Sequence, residues 1–579
     1  MDNVVRTEMG KAFKKGRVIL LLILFLGSFL RLWRLDRVPV SLFSDELDVG
    51  YQAYSILKTG KDYFGNSWPI HFQSYADYRT PLYIYSSVPT VAAFGITPWG
   101  VRLPAVLFGA LGVLALYLLV LEIGNWKLAT VASILLALSP WHIQYSRGAF
   151  EVTMLLAFLL FGLYFFFKSL EKPQFLWLSV LLLVLTPWIY NTAKLFTPLL
   201  MILLFILWKK QILKIERSQL VKAAVAGIVI GLPLVYATTF SGAIKRAEYL
   251  SVFTDPTTKT EVDYSILQDA KIRNVYGGGI TSKVLTRLVH NKFSFWGSKV
   301  INNYISSLSF DFLFLKGDPN LRHSIEGVGQ FYRFEVMALL LGIVLFFTKF
   351  KDRKVKLLIL FWILAGIFPA AITRDGGTHA TRLIIILPPL VLLMSYGLVE
   401  ALDSLRSKKR IILATSLALL YLVSFVFYKH NYWMHNIWYS ERSWHAGYKE
   451  IVDTLRDKQG QYKKIILTNA NDDPRIFFAA YYPASPADWQ KGMEKENVSG
   501  FGEMPHFDKF YFGQVDGKVG LGGLGDYLDN GILYIASSRE IKWNLVMEPQ
   551  KTPEGLKLVK TIQYPSGEPA FYAFAKEEN

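Results

Sequence analysis

Two adjacent carboxylic acids, Asp45 and Glu46, follow the first hydrophobic segment of the chain in the stretch VPVSLFSDELDVGYQAYSILKTG. A carboxylate can take a proton from a hydroxyl group, and carboxylates also bind divalent ions. The spacing of the apolar residues predicts an amphipathic helix over 45–58, with Ser44 as its N-cap. In such a helix the acids could simply favour the positive end of the helix dipole. We expect a functional role because the loop is dense in aromatic residues and directly follows a hydrophobic segment.

Basic residues that could bind a phosphate group stand in two further stretches. Arg79 precedes Thr80-Pro81 in SYADYRTPLYIYSS, where the paired N–H donors of a guanidinium could hold two phosphate oxygens. The alternative is an Arg and Tyr anchor at the membrane interface. Arg147 and Glu151 are four positions apart in SPWHIQYSRGAFEVT, where an apolar segment ends. They form either a helical ion pair or a functional pair, since ionisable residues at membrane depth are functional candidates by default.

A third group of basic residues supplies further candidates for substrate binding. It comprises Lys194 in NTAK, Arg322 and His323 in GDPNLRHS, and Arg374, His379 and Arg382 in TRDGGTHATR. Taken singly, each of them is more often a structural residue than a catalytic one. The nine histidines are spread thinly without an HExxH motif, so a structural metal site is not expected. A transient divalent ion at Asp45, Glu46 or Glu151 is the metal hypothesis that stays open.

The composition indicates a membrane protein with many spans. The 579 residues are 52% hydrophobic, and the apolar runs are long and nearly free of charge. The net charge of +18 is carried largely by Lys and Arg at the ends of these runs, which is typical of topology signals rather than of nucleic-acid binding. The chain has no cysteine, which excludes disulfides, thiolate metal sites and a Cys nucleophile.

The apolar runs and the basic loops between them predict the topology. Eleven spans are expected, near residues 16–34, 101–121, 127–144, 150–168, 174–190, 195–212, 220–240, 333–349, 355–372, 383–402 and 410–428. The short loops on one side are basic, which places that side and the N-terminus in the cytoplasm, with the chain in the plasma (inner) membrane. The extracytoplasmic side then receives a loop at 35–100, a loop at 241–332 and the tail from 430. The candidate residues all lie on that side.

The tail, 430–579, is predicted to be a separate soluble α/β domain after a transmembrane domain, 1–429. The stretches SERSWHAGYKEIVDTLRDK and PRIFFAAYY are typical of helices, KKIILTNA and GILYIAS of strands, and LKLVKTIQYP with PAFYAFAKE of a hairpin. A formal GxGxxG occurs at 520–525, but a polar stretch precedes it and the segment after it is too short. We therefore reject a dinucleotide site there.

Several motifs in order carry a family resemblance. The stretches RLWRLD, LFSDE, YRTPLYIY, VRLPAVLFG and SPWHIQYSRGAFEVT resemble the C-type (GT-C) glycosyltransferases, in particular the superfamily of protein O-mannosyltransferases and aminoarabinose transferases. The resemblance is ordered over 16–210 and weaker through KGDPNLRHS and THATR. It implies a GT-C fold and a transferase that uses a polyprenyl-phosphate sugar. It maps a catalytic acid onto Asp45, a basic residue that is often Lys in relatives onto Arg79, and a second acid, often Asp, onto Glu151.

The predicted function is an integral-membrane glycosyltransferase that moves a sugar from a polyprenyl-phosphate donor to an extracytoplasmic hydroxyl group, with inversion. Asp45 is expected to be the general base, and Glu46 to orient the acceptor, share the base role or hold a metal ion. Arg79 leads the candidates for binding the donor phosphate, followed by Arg147 and Lys194.

The partners and the rival functions follow from the same features. The acceptor is a protein, a lipid or a glycan, the surroundings are membrane lipids, and no nucleic-acid partner is expected. A membrane polysaccharide polymerase or ligase stays as an alternative because of the large loop at 241–332. A lipid-linked sugar transporter or flippase is the other, although no internal repeat or centrally charged span supports it.

Overall fold

The computed structural model describes residues 2–75, 78–240, 249–276 and 283–577. Within them, seven helices are long and apolar enough to cross a membrane: Pro98–Ile123, Val152–Glu171, Ala193–Ile212, Arg217–Thr239, Arg353–Ala371, Ala380–Asp403 and Ser407–Tyr439. Three shorter apolar helices are Val18–Leu32, Trp126–Leu138 and Pro173–Trp188. Helices are expected in hydrocarbon because they satisfy the backbone N–H and C=O groups within one segment. The chain is a multi-span membrane protein.

Each of the eleven segments predicted to span the membrane coincides with helical structure. The segment predicted at 333–349 is the helix Glu335–Lys349, which has 15 residues. Since seven helices have both the length and the apolar character for a crossing, the total number of spans and their orientation stay predictions. Further helices lie outside these segments: Ser44–Thr59, Pro81–Phe94, Thr258–Tyr276, Lys283–Val289 and Lys292–Ser307.

The loop at 35–100 contains the helix Ser44–Thr59, which confirms the helix predicted at 45–58. The helix ends at Gly60, whose left-handed φ of +68° suits a residue without a Cβ atom. The prediction of Ser44 as the N-cap is wrong, because the N-cap is Phe43 and no side chain caps this end. Unlike a capping serine, Phe43 offers no side-chain oxygen to the first turn.

The rest of that loop is a short hairpin followed by a helix. Strand β1 (Phe72–Gln73) pairs antiparallel with strand β2 (Tyr78–Arg79), so that Phe72 lies opposite Arg79. The helix Pro81–Phe94 starts directly afterwards, with Pro81 in its first turn, where a missing N–H has no cost. Thr80 adopts an extended backbone before the proline and holds its position by donating from its hydroxyl to the carbonyl of Ile189 at 2.6 Å.

The C-terminal part forms a seven-stranded mixed sheet. Its strands are β3 (Lys464–Leu467), β4 (Glu494–Val498), β5 (Gly502–Phe507), β6 (Phe510–Phe512), β7 (Ile532–Ser537), β8 (Leu556–Gln563) and β9 (Pro569–Lys576). Their order is β4-β5-β6-β3-β7-β9-β8, with β3 parallel to both β6 and β7 and with β8 and β9 antiparallel. The fold class predicted from the sequence, a helical membrane protein with a C-terminal α/β domain, is confirmed.

The elements predicted for this domain are present, with one difference at a helix start. The predicted strands at KKIILTNA and GILYIAS, the helix Pro474–Tyr481 and the final hairpin are confirmed. The helix predicted from Ser440 begins only at Tyr448, after Gly447 with a left-handed φ of +96°. The GxGxxG stretch leads into a helix of four residues, Leu524–Tyr527, which is too short for a dinucleotide motif.

The C-terminal domain packs directly on the loop at 35–100. The hydroxyl of Tyr51 donates to the carbonyl of Ala484 at 3.1 Å, and Trp489 Nε1 donates to the hydroxyl of Tyr75 at 3.0 Å. Gln490 Nε2 donates to three oxygens of the same loop at 2.8–3.1 Å. The two parts therefore share a polar interface, while the domain boundary at 429/430 stays a prediction.

Candidate active site

Asp45 lies in the first turn of the helix Ser44–Thr59 with 52% of its side chain exposed. Arg79, on β2, donates from Nη2 to Oδ1 of Asp45 at 2.7 Å. The same guanidinium forms an ion pair through Nε with Asp48. Residues 45 and 48 are three positions apart, which puts both carboxylates on one face of the helix. Arg79 therefore bridges an exposed acid and a buried one.

Asp48 is a neighbour of the site that the sequence reasoning missed. Its buried carboxylate accepts hydrogen bonds from the hydroxyls of Tyr63 at 2.6 Å and Ser74 at 3.1 Å. Burial raises the pKa of Asp48, and the charge of Arg79 opposes that shift. The spacing from Asp45 was a usable sequence signal, because an acid at i+3 shares the face of the helix. Asp48 anchors Arg79, which in turn holds the more exposed Asp45.

Glu46 lies in the interior of the fold. It is completely buried, and Arg102 holds both of its oxygens, through Nε and Nη2, at 2.8 Å each. Oε1 also accepts from the backbone N–H of Ala149 at 2.8 Å. These contacts give Glu46 a buried partner in Arg102, which the sequence reasoning had not singled out. The role of Glu46 as a second base, an acceptor-orienting residue or a metal ligand stays a prediction.

Arg147 is also buried, and its contacts are those of a residue that stabilises the fold. Its guanidinium donates to the carbonyls of Leu30, Arg31, Arg34 and Val38 at 2.7–3.3 Å. It also stacks over the aromatic rings of residues 432 and 433. With its donors on backbone oxygens, it fixes the end of the first helix to the rest of the fold. The hypothesis that Arg147 binds the donor phosphate stays a prediction, and these contacts do not support it.

A cavity of about 380 Å³ lies next to the Arg79 strand and contains two further predicted cations. Tyr78, the neighbour of Arg79, lines it together with Lys194 and Arg382. Its remaining walls are largely apolar and include Leu195, Leu250, Pro369 and Ile372. The cavity thus offers positive charge and an apolar surface in the same space.

The two cations of the cavity have defined neighbours. Lys194 Nζ lies 3.3 Å from Nε2 of His71. Burial and the adjacent Lys194 charge lower the pKa of His71 to about 4, so His71 is neutral and can accept from the ammonium group. Arg382 Nη1 contacts Asp375 Oδ1 at 2.5 Å and Thr373 Oγ1 at 2.8 Å. These partners orient both cations.

The C-terminal domain contributes a histidine that the sequence reasoning also missed. Nδ1 of His445 accepts from the backbone N–H of Ser44 at 3.4 Å, and Nε2 lies 3.4 Å from Asp472. Burial and, next, the charge of Arg322 lower the pKa of His445 to about 4. Burial raises the pKa of Asp472. No local pattern could have indicated this contact, because 401 positions separate His445 from Ser44.

Three further predicted residues, Arg322, His323 and His379, have aromatic or acidic neighbours. Arg322 stacks on the ring of Phe43, with 5.0 Å from its guanidinium carbon to the ring centroid. His323 pairs with Asp318 at 3.0 Å, and its ring lies 4.8 Å from that of His379. Burial and the charge of Arg382 lower the pKa of His379 to about 3.

Glu151 and Arg374 are the last of the residues singled out from the sequence. Glu151 is the partly buried residue immediately before the helix Val152–Glu171. Among the described residues, Asp45, Glu46 and Glu151 do not come together as three ligands of one ion. Arg374 lies with Ser251 and Thr254, to whose carbonyls it donates at 3.0–3.3 Å.

A comparison with known proteins finds a family model that matches part of the chain. A family model described as dolichyl-phosphate-mannose-protein mannosyltransferase matches residues 79–236, which include Arg79, Arg147 and Lys194. The predicted resemblance to the C-type mannosyltransferases is confirmed. A curated relative, "Putative mannosyltransferase YkcB" of Bacillus subtilis (strain 168), is 27% identical over 174 residues, which are 29% of this chain. The chain spans about a quarter (23%) of the length of that relative.

Solved structures of membrane transferases give distant matches. The oligosaccharyltransferase AglB from Archaeoglobus fulgidus, solved with an inhibitory peptide and a dolichol-phosphate, is 11% identical with a TM-score of 0.48, covering 81% of this chain and 64% of that chain. ArnT from Cupriavidus metallidurans bound to undecaprenyl phosphate is 12% identical with a TM-score of 0.45, covering 97% and 98%. Scores of this size carry no inference about substrate.

Proposed function

We propose that the protein is an integral-membrane glycosyltransferase that moves a sugar from a polyprenyl-phosphate donor to a hydroxyl acceptor outside the cytoplasm. One observation carries the proposal: the exposed carboxylate of Asp45 is held by Arg79, and Tyr78 connects this pair to a cavity with cations and apolar walls. The match to the mannosyltransferase family model over residues 79–236 supports it. The acceptor is a protein, a lipid or a glycan.

The cavity suits the two chemically different halves of the donor. A phosphate group gains from charge-assisted donors such as those of Lys194 and Arg382, and both line the cavity. An isoprenoid chain requires an apolar surface, which Leu195, Leu250 and Ile372 provide. We propose that the phosphate lies at the two cations while the chain continues along the apolar wall towards the lipid.

The proposed reaction is a direct displacement at the anomeric carbon. The acceptor hydroxyl oxygen forms a bond to that carbon while the bond to the donor phosphate oxygen breaks, through an oxocarbenium-like state. The hydroxyl proton passes to the carboxylate of Asp45, and the bonding electron pair remains on the leaving phosphate. Lys194 and Arg382 stabilise the charge that develops there. A single displacement inverts the configuration of the anomeric carbon.

The experiment is a comparison of D45N with wild type in purified, membrane-reconstituted protein. The donor is polyprenyl-phosphate mannose, the acceptor source is the membrane fraction of a strain without this gene, and released polyprenyl phosphate is measured. D45N is expected to lose about 10²–10⁴-fold in rate, the usual contribution of a positioned base. D36N is the matched control, because Asp36 is another exposed acid of the same loop and should transfer at the wild-type rate.

Two outcomes would count against the proposal. Near-wild-type release by a folded, monodisperse D45N protein would remove Asp45 as the base. Absence of release by wild type, with mannose and with other hexose and pentose donors in turn, would contradict the transferase activity itself.

A further inference from the structure

The fold brings together one carboxylate and two imidazoles that are far apart in the sequence. Asp318 and His323 lie in the loop that follows the short helix Asp311–Leu315, and His379 lies immediately before the helix Ala380–Leu383. One ligand atom from each residue lies within 4.8 Å of the others. In the described parts of the chain this is the one group of three such residues. None of these three residues belongs to the Asp45–Arg79 pair.

Hydrogen bonding explains part of this cluster but not all of it. Oδ2 of Asp318 accepts from His323 Nδ1 at 3.0 Å and from the backbone N–H of Ala380 at 2.9 Å. His379 is different, because its Nδ1 is buried and has no hydrogen-bond partner. A buried polar atom without a partner is costly, and such atoms in native structures call for an explanation. A bound ion at the cluster would provide one.

The donor set indicates which kind of ion fits. Carboxylate and carbonyl oxygens alone would suit magnesium or calcium, whereas imidazole nitrogens favour zinc, copper, iron or nickel. Two histidines and one carboxylate are a known set for zinc, with a further position left for water or substrate.

We propose that Asp318, His323 and His379 bind one divalent transition-metal ion, with zinc as the first candidate. The ion would join the loop around Asp318 to the segment that carries Thr373 and Arg382 of the cavity. It would therefore fix the position of Arg382 without contacting Asp45. The existence of this site does not depend on the proposed transferase activity.

The test measures metal content in the full-length protein. Wild type is purified through a tag that does not use metal affinity, stripped with a chelator, loaded with zinc sulfate and dialysed, and the retained zinc is measured by mass spectrometry. About one zinc per chain is expected for wild type, and far less for D318N and H379Q. D318N is nearly isosteric, and its amide oxygen can still accept from one of the two backbone N–H groups, those of Asn320 and Ala380, that Asp318 binds.

The matched control is the double variant H430Q/H435Q. His430 and His435 are exposed and their Nε2 atoms lie 3.0 Å apart, so they form the most obvious surface pair for adventitious zinc. The proposal requires that this variant retain the zinc of wild type. Loss of zinc here, with retention in D318N and H379Q, would overturn it.

A second measurement covers the case in which the variants of Asp318 and His379 do not fold. X-ray absorption at the zinc edge of loaded wild type should show nitrogen and oxygen neighbours with the scattering of two imidazoles. Zinc with a single imidazole or none would overturn the proposal. So would a loaded and dialysed wild-type protein that retains no zinc and no cobalt, nickel, manganese or iron when these are offered in turn.

Discussion

At the scale of single residues, two hypotheses about the role of Arg79 can be separated by experiment. It either positions Asp45, which it contacts at 2.7 Å, or binds the donor phosphate in the neighbouring cavity. R79A is expected to slow transfer by about 10²-fold or more, and R79K should keep part of the activity because the charge persists. Steady-state kinetics on both variants, with kcat and KM for the donor determined separately, check this.

The double variant R79A/D45N distinguishes the two roles. If Arg79 acts through Asp45, R79A should add little to the loss already caused by D45N, because residues that act as a unit are not additive. If Arg79 binds the phosphate, KM for the donor should rise in both backgrounds. Unchanged kcat and KM in R79A would exclude both roles and leave the donor phosphate to Lys194 and Arg382.

The pair of Glu46 and Arg102 gives a prediction about stability rather than activity. Both side chains are fully buried, so R102M leaves a buried carboxylate without its partner. Loss of one member of such a pair typically costs about 3–5 kcal/mol, whereas removing both charges costs much less. We expect a strongly lowered melting temperature for R102M and substantial recovery in E46Q/R102M. The measurement is thermal unfolding in detergent, and losses that simply add would contradict the pairing.

The sequence revealed the site residues that lie close together along the chain. Asp45 and Arg79 share one loop, and the motif order around them carries the family resemblance. The partners of Glu46 and Arg147 could not be read in advance, because Arg102 is 56 positions from Glu46 and the carbonyls around Arg147 are up to 117 positions away. From the sequence alone, a buried arginine that stabilises the fold cannot be distinguished from an arginine that binds phosphate.

At the scale of elements, apolar patterns were sufficient for the long apolar helices, for the helix Ser44–Thr59 and for four of the seven strands of the C-terminal domain. Errors fell at helix ends, as at Ser44 and at the late start of the helix Tyr448–Lys458. Helix ends depend on backbone angles that the residue pattern specifies weakly. The contact between His445 and the helix Ser44–Thr59 depends on how two folded elements meet. No local pattern encodes that contact.

That contact predicts how stability depends on pH. The pKa of His445 is about 4 in the fold against an ordinary 6.5, so the unfolded chain binds the proton more readily. The contribution is therefore fully present above 6.5 and is lost as the pH falls towards 4. We expect the melting temperature of wild type to fall over this window, and less steeply in H445Q.

The control for this prediction is H430Q, which removes an exposed histidine. It should show the same pH dependence as wild type. Some dependence should remain in H445Q, because burial also lowers the pKa of His71 to about 4. Identical slopes for wild type and H445Q would show that His445 does not resist protonation in the fold.

At the scale of the whole molecule, composition was enough to predict a helical membrane protein with a C-terminal α/β domain. It was not enough to predict that this domain packs on the first loop, because docking depends on complementary surfaces such as those of Gln490 and Trp489. The docking has a consequence for topology. Since His445 accepts from the backbone of Ser44, the C-terminal domain and Asp45 lie on the same side of the membrane.

Because the chain has no cysteine, thiol labelling can establish on which side of the membrane Asp45 lies. A single introduced cysteine is the only thiol of the chain, so a membrane-impermeant maleimide reports on one position at a time. S499C lies at an exposed position of the C-terminal domain, and S407C at an exposed position in a basic loop predicted to be cytoplasmic. In intact cells, or in spheroplasts where an outer membrane is present, S499C should be labelled at once and S407C only after permeabilisation. Labelling of S407C but not S499C in intact cells would put Asp45 in the cytoplasm and contradict an extracytoplasmic acceptor, whatever the activity of the purified protein.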